Sequence, residues 1–347
     1  MQPLSFVNGP IEVIGCHAAG EVGDVIVSGI DPPPGDSLWQ QALWIASDGR
    51  LRDLMLNEPR GGVFRHVNLL VPPSDPKADI GFIIMEPEHT PPMSGSNSIC
   101  VATVVLETGI VEMTEPATTV LLEAPGGLVE AVAQCADGKV TEVTVRNMPS
   151  FVSERDAAVE LPGLGTIRVD TAFGGDSFVM VDAADLGIEI APQHGRQLAE
   201  LGARLTRAAN DQLRFDHPTT DWDHFSFCQI AGPLQKISDT LFAMTNTSVI
   251  DPGKLDRSPT GTGLSARMAL LRAQGAMAVG DQLRMRSVIG SEFVGTIEAD
   301  TKVGSIAAIV PLISGSAWRT GRFIYEVDPS DPWPYGYRIS DTWPTLP

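Results

Sequence analysis

The stretch Pro91–Gly109, PPMSGSNSICVATVVLETG, runs through a Ser-Gly-Ser-Asn turn straight into an apolar segment. Ser and Asn are helix-capping residues, so a helix starts there. The segment that follows is apolar over most of its surface, which places that helix in an interior. A second stretch, Asp256–Gly275, DRSPTGTGLSARMALLRAQG, has the same build. Its Thr260-Gly261-Thr262-Gly263 turn opens another helix with little polar face. The two turns stand nearly half a chain apart, as a duplicated unit would place them. Each buried helix then needs its own wrapping of strands.

The sequence around them supplies those strands. In the first half, Ile11–Ala18, Asp24–Gly29, Asp79–Met85, Thr118–Pro125, Leu128–Cys135 and Lys139–Asn147 are short, β-rich and bounded by turn residues. In the second half, Asp176–Ala183, Phe225–Gly232, Thr240–Asn246, Gln282–Gly290, Glu292–Ala299 and Gly304–Gly315 have the same character. Close, turn-marked spacing argues against a doubly wound parallel sheet. Gly35–Glu58 and Ala191–Asn210 read as amphipathic outer helices. The expectation is two β-rich units, each around one central helix, with a cleft between them.

With 347 residues and 43% hydrophobic content, the chain is long and apolar enough to build a sizeable core. Its net charge of −19 disfavours nucleic-acid binding but not a small anionic substrate held at a local positive site. Cys16, Cys100, Cys135 and Cys228 are scattered with no CxxC pair, which gives no support to a metal or disulfide role and fits a reducing, cytoplasmic setting. No signal peptide and no membrane span are expected.

Helix starts leave backbone N–H groups unpaired and carry positive potential, and glycine lets a ligand approach the backbone. A carboxylate is the natural guest of such a turn. Ser94 and Thr260 would flank it from opposite sides. For one turn alone, ordinary capping is the commoner reading. Asp256 and Arg257 precede Thr260. They suit a substrate ammonium and a carboxylate, or an ordinary surface ion pair.

These motifs resemble those of the proline racemase family. So do Gly15–Gly29 (GCHAAGEVGDVIVSG), Leu54–Gly62 (LMLNEPRGG), Thr171–Gly187 (TAFGGDSFVMVDAADLG) and Gly315–Tyr337 (GSAWRTGRFIYEVDPSDPWPYGY), so the similarity covers nearly the whole chain in order. The resemblance implies an α/β (α+β) fold of two β-rich half-barrels, each around a central apolar helix, with the active site in the cleft between them. It divides the chain into 1–125 plus 316–347, carrying Ser94, and 126–315, carrying Thr260. It implies a homodimer acting on a small imino acid at its α-carbon without cofactor or metal. Asp256 matches the aspartate that contacts the substrate amine. Gly95, Ser96, Gly261 and Thr262 match the positions that bind the carboxylate. Family racemases and epimerases carry Cys at both catalytic positions, or Ser and Cys. The trans-3-hydroxy-L-proline dehydratases carry Thr at the second. Here that second residue is Thr260, while Ser94 stands where Cys is more familiar and Ser96 where a His is common.

Thr260 decides the expected chemistry. Inversion needs an acid on the face opposite the base. A thiol, with a pKa of about 8.5, can serve there, whereas a threonine hydroxyl cannot readily exchange protons in both directions. A carbanion-like species that is not reprotonated can lose a neighbouring hydroxyl instead. The expected reaction is dehydration of trans-3-hydroxy-L-proline to Δ1-pyrroline-2-carboxylate. The rivals are a 4-hydroxyproline 2-epimerase or proline racemase, and a catalytically silent imino-acid binder. As a base, Ser94 needs activation. His17, His224, Asp223 and Asp176 are alternative bases, although each suits a structural role better. Cys100 lies on a different face of the helix from Ser94 and reads as a core residue.

Overall fold

In the computed structural model, which describes residues 5–344, the chain divides into two units. One runs up to Val145 and resumes at Gly315; the other is the continuous segment Arg146–Ser314. The boundary expected at 125/126 thus falls at 145/146. Strand Gly127–Ala136 pairs with Ala117–Ala124 along its whole length. Cutting that hairpin would orphan an entire ladder of backbone groups, so both strands stay in the first unit.

The first unit's sheet runs, neighbour to neighbour, Ala317–Tyr325, Val7–Ala18, Glu21–Ile30, Arg65–Val71, Ile80–Met85, Ala117–Ala124 and Gly127–Ala136. The pairings are antiparallel, antiparallel, parallel, antiparallel, parallel, antiparallel. Parallel neighbours need a crossover, and helices supply it. Helices α1 (Leu38–Asp48) and α2 (Arg50–Leu56) make the first crossover, and α3 (Gly95–Glu107) the second. The long amphipathic stretch read as one helix is two. Gly49 takes φ 69°, a left-handed conformation that ends α1, with its N–H donating to Ile45 O at 2.9 Å. Leu38, Ile45, Leu51 and Leu54 of these helices pack on Ile11, Val13, Ile26, Val67 and Leu69 of the sheet.

The second unit repeats the scheme. Its strands run Ser150–Leu161, Gly165–Phe173, Ser177–Asp182, Phe227–Ala231, Leu241–Ile250, Gln282–Arg286 and Glu292–Val303, with the same order of antiparallel and parallel pairings. Ile306–Gly315 follows antiparallel and returns to the first strand through Ala308↔Phe151 and Ile309↔Ser150, closing the ring. The crossovers are α4 (Gly195–Gln212) and α5 (Gly261–Ala273), at the same points as α1/α2 and α3. The duplication suggested by two short turns is therefore written into the strand order.

Helices α3 and α5 hold the equivalent central place. Every residue of Gly95–Leu106 in α3 and of Gly261–Leu271 in α5 is buried. α4 buries one face only, through Leu198, Ala203, Leu205 and Ala209. Among the described residues no helix is long and apolar enough to cross a membrane.

Candidate active site

Ser94 caps α3 from an extended conformation (φ −146°, ψ 124°). Its Oγ accepts a hydrogen bond from Asn97 Nδ2 at 2.9 Å and a longer one from the Asn97 backbone N–H at 3.4 Å. Ser96 Oγ stands 3.4 Å from it. The N–H groups of Gly95 and Ser96 belong to the helix start, where no intrahelical acceptor exists. Ser94, Gly95 and Ser96 thus share one buried corner with two amide donors aimed at the serine oxygen. Hydrogen bonds to the charged form of an acid favour that form, as does a helix N-terminus. The corner is built to hold negative charge.

Behind it lies a buried polar chain that the sequence reading missed. Asn68 Nδ2 donates to Asn97 Oδ1 at 2.8 Å, fixing the amide so that its Nδ2 faces Ser94. His66 Nδ1 lies 3.4 Å from Asn97 Nδ2 and 3.5 Å from Glu86 Oε1, and His66 Nε2 lies 3.5 Å from Glu21 Oε1. The signal was present in RHVNLLV. His66 and Asn68 alternate along one strand and so share a face. Nearby, Arg65 Nη1 donates to Asp24 Oδ2 at 2.7 Å. Burial nevertheless pushes the Asp24 carboxyl up to about 6, with Arg65 and the Cys16 N–H opposing the rise.

In the second unit, Thr260 precedes α5 at φ 63°, ψ 99°, a left-handed backbone that a β-branched residue rarely takes. Such strain persists only where the surroundings over-determine it. Here they do. Thr260 N donates to Ser258 Oγ at 3.0 Å, Thr260 Oγ1 donates to Asp256 Oδ2 at 2.7 Å, and Ser258 N donates to Asp256 Oδ1 at 2.7 Å. Asn246 Nδ2 fixes Pro259 O at 2.8 Å. The Thr260 hydroxyl is therefore not a helix cap. It leaves the start of α5, with Gly261 and Thr262, to any anion that binds there. Asp256, Thr260, Gly261 and Thr262 are all buried, so the Asp256–Arg257 pair is not the surface ion pair that was the alternative.

The alternative bases are engaged elsewhere. His17 accepts from Gly20 N within its own hairpin and stacks on Trp318, and burial lowers its pKa. Asp176 is fully buried and accepts from Ser177 N at 2.7 Å. Asp223 is exposed and His224 half-buried, and they lie 3.6 Å apart. The last three belong to the second unit, as Thr260 does. Cys100 is a core residue. Burial, with Cys16, Asp24 and Glu21 adding to it, raises its thiol pKa well above the ordinary range. All four cysteines are free and buried. Among the described residues no group of three His, Cys, Asp or Glu is placed to hold a metal ion.

Comparison with known proteins bears on the same residues. Residues 13–338 match the proline racemase family. A hydroxyproline epimerase from Agrobacterium vitis, solved with bound trans-4-hydroxy-L-proline, is 37% identical over 97% of each chain, with a TM-score of 0.92. A probable proline racemase from Agrobacterium radiobacter K84, solved with bound carbonate, is 37% identical over 97% of this chain and 98% of that one, with a TM-score of 0.91. A phenazine biosynthesis protein of the PhzF family from Bacillus anthracis shares the fold at 12% identity, with a TM-score of 0.57 over 92% of this chain and all of that one. The chain belongs to the proline racemase family.

Proposed function

We propose that the protein dehydrates trans-3-hydroxy-L-proline to Δ1-pyrroline-2-carboxylate, using Ser94 and Thr260 on one substrate molecule. Ser94 takes the α-proton, helped by the two N–H donors of Asn97. The electron pair left at Cα forms the double bond to C3 as the C3–O bond breaks. The departing hydroxide takes up the proton that Ser94 removed and leaves as water, which restores Ser94. The resulting enamine tautomerises to the cyclic imine. The carboxylate sits on the helix-start amides of Gly95, Ser96, Gly261 and Thr262, and Asp256 receives the substrate ammonium.

One observation carries this reading: the Thr260 hydroxyl donates to Asp256 at 2.7 Å. An alkoxide at Thr260 would stand against that carboxylate, and like charges so close oppose ionisation. Thr260 is thus held neutral and acts as a hydrogen-bond donor rather than a base. When the ammonium takes over Asp256, the hydroxyl is released to turn toward the leaving group. Proton traffic in both directions, which epimerisation requires, has no matching second base. Thr260→Ala should lose imine formation by at least a hundredfold while keeping α-proton exchange. Thr260→Cys should gain epimerisation.

A second reading, 2-epimerisation of trans-4-hydroxy-L-proline, has specific support from the bound ligand and 37% identity of the Agrobacterium vitis enzyme. A panel of 3- and 4-hydroxyprolines separates the two. Imine trapped by borohydride as proline, from the 3-hydroxy substrate only, is the expected result. Conversion of the 4-hydroxy substrate to its C2 epimer without imine would replace the first reading by the second.

A further inference from the structure

Beyond the two turns, the second unit contains a cavity of about 370 Å³. Its charged lining is Arg267, halfway along α5, with Arg155 and Arg168, and the carboxylates of Asp156, Asp170, Asp182 and Asp185. Arg267 is set seven residues beyond Thr260 along the helix, a rise of about 10 Å at 1.5 Å per residue. None of these residues belongs to the Thr260 corner.

Arg267 is the unexplained group. It is buried, and its Nε donates to Gln229 Oε1 at 2.9 Å, yet its Nη2 has no hydrogen-bond partner among the described residues. A guanidinium stays protonated in proteins, and a buried charge left short of partners is costly. Burial lowers the pKa of Arg267, and Asp182 and Asp170 are near enough to oppose that effect. Both carboxylates also line the cavity. Asp182 is itself raised by burial, with Arg267 opposing and Asp185 and Asp170 adding to the rise. A second positive group close to Asp182 and Asp170 would relieve their mutual repulsion.

A bare anion would be drawn to Arg267, Arg155 and Arg168 but would meet four carboxylates. A bare cation would be drawn to the carboxylates but would meet the three arginines. A small molecule carrying one of each satisfies both. We infer that this cavity binds a small zwitterionic amino or imino acid, its carboxylate on Arg267 and its ammonium between Asp170 and Asp182. The site goes beyond the α-carbon chemistry proposed above and does not depend on it.

The test is an NMR titration of the full-length protein carrying ¹⁵N-labelled arginine side chains. The Arg267 Nε–H resonance is assigned through Arg267→Lys, and L-proline, inorganic phosphate and putrescine are the probes. L-proline should shift that resonance saturably. Phosphate and putrescine, each carrying half of the required charge pattern, should need at least tenfold higher concentration. Asp182 lies at the exposed edge of the cavity and is only partly covered, so Asp182→Asn should fold normally while raising the L-proline midpoint at least tenfold. No shift with L-proline, an unchanged midpoint in Asp182→Asn, or phosphate matching L-proline would overturn the inference. The Asp182→Asn comparison stands even if Arg267→Lys fails to fold, and it separates this cavity from ligand bound near Thr260.

Discussion

In the proposed reaction Ser94 is a weak base, and Asn97 is the residue that would make it useful. The amide at 2.9 Å stabilises an alkoxide more than a hydroxyl, and a hydrogen bond to a charged group is worth about 1.5–3 kcal/mol. Asn97→Ala should therefore lower kcat roughly tenfold to a hundredfold and move the ascending limb of the pH–rate profile to higher pH, with KM little changed. A purely structural role would lower stability without moving that limb. Asp24 offers a separate prediction. Its carboxyl titrates near pH 6 when folded, against an ordinary value of 3.8. Folding therefore favours the protonated form. That contribution is complete below about pH 4 and is lost as pH rises through 6. The loss is roughly 3 kcal/mol, at about 1.4 kcal/mol per pH unit. Asp24→Asn is neutral throughout. Its stability relative to the wild type, read from denaturant midpoints, should become more favourable as pH rises from 4 to 7.

Helices α3 and α5 reach their central positions because glycines let strands come close. A Cβ added at Gly23 would stand 2.9 Å from both Asn97 Oδ1 and Cys100 Sγ, and one at Gly174 would stand 2.1 Å from Thr262 O and 2.5 Å from Ala266 N. Gly174 meets backbone, which cannot swing aside as a side chain can. Asn147 locks the same junction, donating from Nδ2 to Gly174 O at 2.7 Å and to Ser265 Oγ at 2.9 Å. Gly174→Ala should displace the first turn of α5, costing about 1–3 kcal/mol of stability by overpacking and most of the activity. A folded, fully active variant would show that this contact does not set the turn. The central helices were legible in sequence because they are apolar all round, and the outer ones because they are not. The break at Gly49 was harder to read, because the amphipathic pattern continues across it and only the left-handed glycine ends the helix. Asn97 and His66 escaped for a different reason. Their roles arise from strand-to-helix contacts that spacing along one element does not encode.

The two units share one order of parallel and antiparallel neighbours, although little sequence beyond the turns betrays it. Strand pairing is a property of topology and buried faces, so it outlasts the side chains that first specified it. The expected limit at 125/126 falls inside the Pro125-Gly126-Gly127 turn, which joins the two strands of a hairpin. Since the strands of Arg146–Ser314 close on one another, that segment expressed alone should unfold cooperatively in denaturant. A featureless baseline would show that its ring needs the remainder of the chain. The proposed function rests on how Thr260, held against Asp256, handles a proton. The most direct measurement is proton NMR in D₂O of the wild-type enzyme with trans-3-hydroxy-L-proline and, separately, trans-4-hydroxy-L-proline. The account predicts the cyclic imine from the first and no 2-epimer from the second. Deuterium at Cα of an accumulating 4-hydroxy-D-proline, with no imine from the 3-hydroxy compound, would contradict it.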